Sequence, residues 1–209
     1  MEILFSFLIT SLLLSLSPGP DNVYVLSNTL SNGKKAGFFT VLGLVSGCLF
    51  HTILLTFGVS ELISQSNTAL IVIKVFGVFY LLFLAFKEFN SSLNLNINTI
   101  NKNYKSSLNH FITGLLMNIL NPKVYFFFLG LFPAFLFVNP DENELSFKSQ
   151  FFILGFIFMI VTAIVFSLVV VFSSIASKYL VGKKLFHLLM KWIQIIIFIS
   201  IATIILFSV

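Results

Sequence analysis

The chain is short of charge. Of its 209 residues only 9% are charged, against 58% hydrophobic, and the mean hydropathy is +1.06. A water-soluble domain of this length carries far more charge, so the composition excludes that class and points to a polytopic membrane protein. Arginine is absent: the basic residues are 12 lysines, set against 7 acids for a net charge of +5. In a soluble protein that excess would suggest nucleic acid. Here the lysines fall between apolar segments, where they report orientation, and no nucleic-acid partner is expected. Cysteine is nearly absent. A single Cys48 allows neither an internal disulfide nor a Cys-x-x-Cys relay. Three scattered histidines beside one thiol lack metal-ligand spacing, so no metal is expected. No Gly-Lys-Ser/Thr phosphate loop occurs, so neither ATP nor any other cofactor is expected.

What the chain has instead is apolar runs. Six can be marked at about bilayer length or more, near 3–30, 37–60, 68–89, 110–138, 147–176 and 187–208. The first resembles a secretory signal, but Glu2 replaces the basic flank and prolines stand where cleavage would fall, so it is expected to stay as a span. An Asn/Ser-rich connector, 90–109, separates repeat 1 (about 1–89) from repeat 2 (about 110–209) within one transmembrane domain, 1–209.

The lysines alternate. Lys34 and Lys35 follow run 1; Lys87, Lys102 and Lys105 follow run 3; Lys178, Lys183 and Lys184 follow run 5. The other connections are Lys-poor: Glu61 lies in one, and Asp141, Glu142 and Glu144 face a lone Lys148 in the other. Six spans place every Lys-rich connection on one face. By the positive-inside rule that face is cytoplasmic, with both termini outside and the chain in the plasma (inner) membrane.

The first and fourth runs are interrupted by proline among polar residues, at Ser17-Pro18-Gly19-Pro20-Asp21-Asn22 and at Asn121-Pro122-Lys123. Proline removes a backbone donor and blocks the preceding turn, so both helices must break. Three spans per half make the halves enter the membrane in opposite directions. Paired breaks at corresponding places are the sequence mark of an inverted-repeat transporter. The expected fold is therefore all-α: six transmembrane helices in two inverted three-helix repeats, with helices 1 and 4 broken.

Asp21 reads either as a ligand for a substrate ammonium or a proton carrier, or as a cap on the helix that follows. Lys123 stands at the equivalent place in the other half, some 13 residues into its run and about 20 Å from its start. It can pair with Asp21 directly or through a zwitterionic substrate, or it can be structural. Asn22, Asn118 and Asn121 suit backbone satisfaction as well as substrate contact. Gly43, Gly47 and His51 recur every four residues on one helix face. The glycines favour close packing, and His51 is either a proton relay or a buried structural histidine. Gln194 suits a hydrogen bond between helices, while Lys191 and Trp192 read as interfacial anchors.

Together, Ser17-Pro18-Gly19-Pro20-Asp21-Asn22, Gly33-x-x-x-Gly37 and Gly43-x-x-x-Gly47-x-x-x-His51 resemble the amino-terminal signature of the LysE/RhtB translocator family. Phe111-x-x-Gly114-x-x-x-Asn118-x-x-Asn121-Pro122-Lys123, followed by Phe127-Phe128 and Phe132-Pro133, is similar to its second block, with Ala134 where many relatives carry glutamine. The resemblance implies proton-driven export of amino acids or their derivatives. It also places Pro18, Gly19, Pro20, Asp21, Asn22, His51, Asn118, Asn121, Pro122 and Lys123 at or near the pathway. The expected partners are the lipid bilayer, a small amino-acid-like substrate and protons as coupling ion, with a homo-oligomer as a further option. A passive channel through the same breaks is the alternative; an enzyme is not expected.

Overall fold

A computed structural model describes residues 2–17, 19–91, 106–137, 146–175 and 184–207. Pro18, the connector lysines Lys102 and Lys105, the acidic group Asp141, Glu142 and Glu144, and the lysines Lys178 and Lys183 lie outside them. The described residues are helical, with no strand among them.

The first run forms two helices. α1 (Glu2–Leu16) ends where Ser17 N–H returns to the Leu13 carbonyl, and α2 (Pro20–Asn32) begins with Pro20 in the first turn, where its missing N–H costs nothing. The two axes meet at 55°. α2 stops at Gly33, whose φ of 87° is a left-handed conformation suited to glycine, and α3 (Lys34–Leu54) starts at once. α3 runs through a widened turn, Leu55–Val59, into α4 (Ser60–Gln65), and α5 (Asn67–Phe89) follows behind a Ser66 cap. The second broken run repeats the first. α6 (Ser107–Ile119) and α7 (Pro122–Leu131) meet at 54°, again with a proline in the first turn of the second helix, and α7 tightens into a short 3-10 segment, Phe132–Phe135. α8 (Phe147–Val171) and α9 (Lys184–Phe207) are the last two long helices among the described residues.

Three stretches are long and apolar enough to cross a bilayer alone: Lys34–Ile63, Thr68–Phe89 and Phe147–Val171. The two bent pairs qualify when each is taken as one span, which makes up to five among the described residues. α9 contributes a shorter apolar stretch, Lys191–Phe207. The chain is thus a multi-pass membrane protein whose described elements are all helices. Its outer surface carries many exposed Phe, Leu and Ile side chains, as a lipid-facing surface does.

α3 is the central element, packed on α6, α8 and α2, while α5 pairs with α9 and α1 lies on α8. Glycines set the closest crossings. Gly43 of α3 faces the backbone of Phe111 and Leu115, Gly114 of α6 faces that of Thr40 and Leu44, and Gly77 of α5 meets Gly130 of α7.

Candidate functional site

The two helix breaks converge on one cavity of about 50 Å³. Ser15, Ser17, Gly19, Pro20, Asp21 and Asn22 line it from the first break, Asn118, Asn121 and Lys123 from the second, and Cys48, Phe158, Thr162 and Phe166 from α3 and α8. That volume holds a few waters.

Each break is built by its own polar residues. Asn22 Nδ2 donates to the Ser17 carbonyl at 2.7 Å and the Ser15 carbonyl at 3.2 Å, satisfying carbonyls that the end of α1 leaves without partners. Asn121 caps α7: its Oδ1 accepts from Lys123 N–H at 3.0 Å. Its amide nitrogen reaches across to the other break, 3.3 and 3.4 Å from the two carboxylate oxygens of Asp21. One asparagine therefore closes a helix start and ties the halves of the chain together. Asn22→Ala leaves two buried carbonyls short of a donor and is expected to cost about 1–3 kcal/mol. The check is the shift in thermal unfolding of the detergent-solubilised protein.

Asp21 does not cap α2. Gly19 holds the cap position with an extended φ of −152°, and no side chain there accepts from the helix. The carboxylate, buried in the first turn, faces Asn121 instead. Nor does Asp21 pair directly with Lys123: among the described residues no ion pair joins them, although each lies within electrostatic reach of the other. The Lys123 ammonium lies 4.9 Å above the Phe198 ring of α9 and reaches the first break, where a methyl group added at Gly19 would sit 3.4 Å from Nζ. It is also within electrostatic reach of Glu88.

Two polar atoms of the cavity wall, Ser17 Oγ and Asn118 Oδ1, are buried without a hydrogen-bond partner. Unpartnered polar atoms inside a protein are costly, and here both belong to the cavity. The amide nitrogen of Asn118 contacts Cys48 Sγ at 3.7 Å. Ser15 Oγ and Thr162 Oγ1 join α1 to α8 across the same wall at 3.2 Å.

His51 does not line this cavity. Its Nε2 lies 3.2 Å from the Asn118 carbonyl, its ring packs on Phe128, and it borders a separate, mostly apolar hollow of about 400 Å³ with Leu55, Gly58, Ile73 and Tyr125. Asn118, whose carbonyl meets His51, lines the cavity together with Asp21. Gly43 lies against the backbone of Phe111 and Leu115, and Gly47 against Asn118. Pro122 opens α7 as Pro20 opens α2, while Pro18 is outside the described residues.

Sequence reasoning passed over other residues. Lys74 is buried in α5, hidden in the sequence by the apolar run around it. Asn28, Thr40 and His110 form a buried polar cluster joining α2, α3 and α6. The signal available for them was polarity inside apolar segments. Among the described residues no group of His, Cys, Asp or Glu could hold a metal ion.

Comparison with known proteins supplies the lineage. The model of the family described as LysE type translocator matches residues 12–208. An uncharacterized membrane protein of Bacillus subtilis (strain 168), YrhP, is 30% identical over 192 residues, which cover 88% of this chain and 89% of that one. The homoserine/homoserine lactone efflux protein of Salmonella typhimurium (strain LT2) is 30% identical over 176 residues, 83% and 80% of the two chains. Its counterpart in Salmonella typhi is 28% identical over 180 residues, 86% and 84%. No solved structure matches significantly.

Proposed function

The chain belongs to the LysE type translocator family, a family of transporters and not of enzymes, and we propose that it exports amino acids or related small zwitterions from the cytoplasm in exchange for protons. The observation that carries this reading is the cavity at the joined breaks. It sets a buried carboxylate, Asp21, near an ammonium, Lys123, without letting them pair, and offers Ser17 Oγ and Asn118 Oδ1 with no partner of their own. A zwitterion supplies what is missing. Its ammonium meets Asp21 and Asn118 Oδ1, and its carboxylate meets Lys123 and the free N–H groups at the start of α2. The relatives named for homoserine and homoserine lactone efflux favour a short amino acid or its lactone as cargo.

The cavity is narrow, and the polar side chains that line it, Ser17, Asp21 and Asn118, are buried. A central site whose ligating groups are buried favours alternating access over a standing pore. The helix pairings favour the inverted repeat: α1 lies on α8 as α6 lies on α3, and the pairs α3 with α8 and α5 with α9 each map onto themselves when the halves are exchanged. Six spans with both termini outside complete this reading. Asp21 serves as both solute ligand and proton carrier, so that solute and proton compete for it.

Inside-out vesicles test the proposal. An imposed pH gradient is expected to drive saturable accumulation of labelled homoserine, abolished by a protonophore. Linear flux without accumulation would mean a channel and would overturn it.

A further inference from the structure

The cavity is flanked on its two sides by different materials. Toward the end of the molecule that carries Lys34 and Lys35, α2 descends from Asp21 with Val25 and Asn28 four and seven residues on, one face of the helix. Val25 meets Val41 and Leu44 of α3 and Val165, Phe166 and Val170 of α8 in a compact apolar layer, and Phe166 is also part of the cavity wall. Beneath this layer lies a clasp. Asn28 Nδ2 donates to Thr40 Oγ1 at 2.8 Å and lies 3.2 Å from His110 Nδ1, while Asn28 Oδ1 accepts from Asn32 at 2.8 Å. Asn28, Thr40 and His110 are all at least 96% buried and belong to three helices, α2, α3 and α6.

On the opposite side the closure is aromatic. Phe7 of α1 sets its ring edge-on to Phe132 and Phe135, at centroid distances of 5.2 and 5.3 Å. Phe132 stacks on Phe128 at 4.3 Å, and Phe158, which lines the cavity, meets Phe132 at 6.0 Å. Phe7 precedes the first break by about three turns and Asn28 follows it by about two, so the two closures lie on opposite sides of Asp21 along the bent span.

We propose that these closures are the two gates of the transport cycle: the Asn28–Thr40–His110 clasp with its apolar layer on the Lys34/Lys35 side, and the Phe7–Phe132–Phe158 knot on the other. The inference deepens the alternating-access reading and rests on it. Entering water can replace the hydrogen bonds of the clasp group for group, whereas parting the rings exposes apolar surface with no such exchange. The gate on the Lys34/Lys35 side thus has a part that water can take over where the aromatic knot has none, and it faces the side from which an exporter loads.

The chain carries its own reporter, because its one cysteine, Cys48, lines the cavity between the gates. The full-length protein is treated in right-side-out and inside-out vesicles with a charged, membrane-impermeant methanethiosulfonate, and Cys48→Ser serves as the blank. Asn28→Ala is expected to raise the rate of Cys48 modification about ten-fold from the Lys34/Lys35 face and to leave the other face unchanged, since weakening one closure shifts only the state it holds shut. Phe132→Ala is expected to do the reverse. Thr40→Val, which keeps the volume of its site, and Phe132→Leu, a milder truncation that keeps the site apolar, repeat the comparison if the first pair inserts poorly. Rates that rise equally from both faces, or that do not move in either pair, overturn the assignment. Side-selective labelling in a protein that accumulates no solute would support the gates and remove the exporter reading.

Discussion

Asp21→Asn is expected to lower the initial rate of gradient-driven uptake by about 100-fold or more while leaving the protein folded and inserted. The substitution keeps the shape of the side chain, and an asparagine oxygen at the same place still accepts from Asn121 Nδ2, now 3.3 Å from Oδ1. What disappears is the charge. A substrate ammonium brought into a buried cavity without a carboxylate is an unpaired buried charge, and losing one partner of such a pair costs about 3–5 kcal/mol, which corresponds to 10²-fold or more in occupancy. The proton route is lost with it, because an amide does not titrate. Asp21→Glu keeps both functions but pushes the carboxylate toward Asn121, and is expected to retain measurable transport. The decisive comparison is uptake normalised to immunoblotted protein in the same vesicles. An Asp21→Asn variant that transported at the wild-type rate would reduce Asp21 to a structural anchor for Asn121.

The elements of this site were legible in the sequence because each is a local signal. Two prolines around Gly19, and Pro122 behind Asn121, announce helix breaks whatever the rest of the chain does, and the structure bends by 55° and 54° at those places. The face shared by Gly43, Gly47 and His51 is equally local, and all three do point at α6: Gly43 at Phe111, Gly47 at Asn118 and His51 at the Asn118 carbonyl. What the sequence could not show was what lies between such features. Asp21 and Lys123 look like a salt bridge when only their charges are read. In space Asn121 occupies the carboxylate and Lys123 turns over Phe198, a residue far along the chain with no sequence signal of its own. His51 reads from the sequence as a proton relay or a structural histidine, and in space it meets the Asn118 carbonyl and lies outside the cavity that Asp21 lines. The same limit hid the clasp. Asn28 and His110 are 82 residues apart, and neither belongs to a motif, so only the packing of α2 and α6 on α3 brings them together. Of the two readings of Asp21, the cap is set aside for a local reason: Pro20 takes the first position of α2, which moves the cap back to Gly19 and turns the acid into the first turn.

Gly114→Leu and Gly43→Leu are expected to abolish the folded protein, and even the two alanine variants should cost about 3 kcal/mol or more, the upper end of what overpacking does. A Cβ at Gly43 would run into the carbonyl oxygen of Phe111 and come within 2.7 Å of Leu115 N; one at Gly114 would run into the carbonyl of Thr40 and come within 3.2 Å of Leu44 N. These neighbours are backbone, so no side-chain rotation makes room, and the helices must move apart along the crossing on which the whole bundle is centred. Gly58→Ala is the control: nothing lies within 4 Å of its added methyl, and it should leave the melting of the detergent-solubilised protein unchanged. Equal melting of Gly114→Ala and Gly58→Ala would refute the close crossing. Gly47 separates folding from transport on the same helix face. A methyl there would come within 2.5 Å of Asn118 Oδ1, a side-chain atom that can swing away, and within 2.6 Å of its Cβ. Gly47→Ala should therefore disturb the bundle less than Gly43→Ala and damage transport more than it damages melting, because the atom it displaces is one of the two unpartnered groups in the cavity wall.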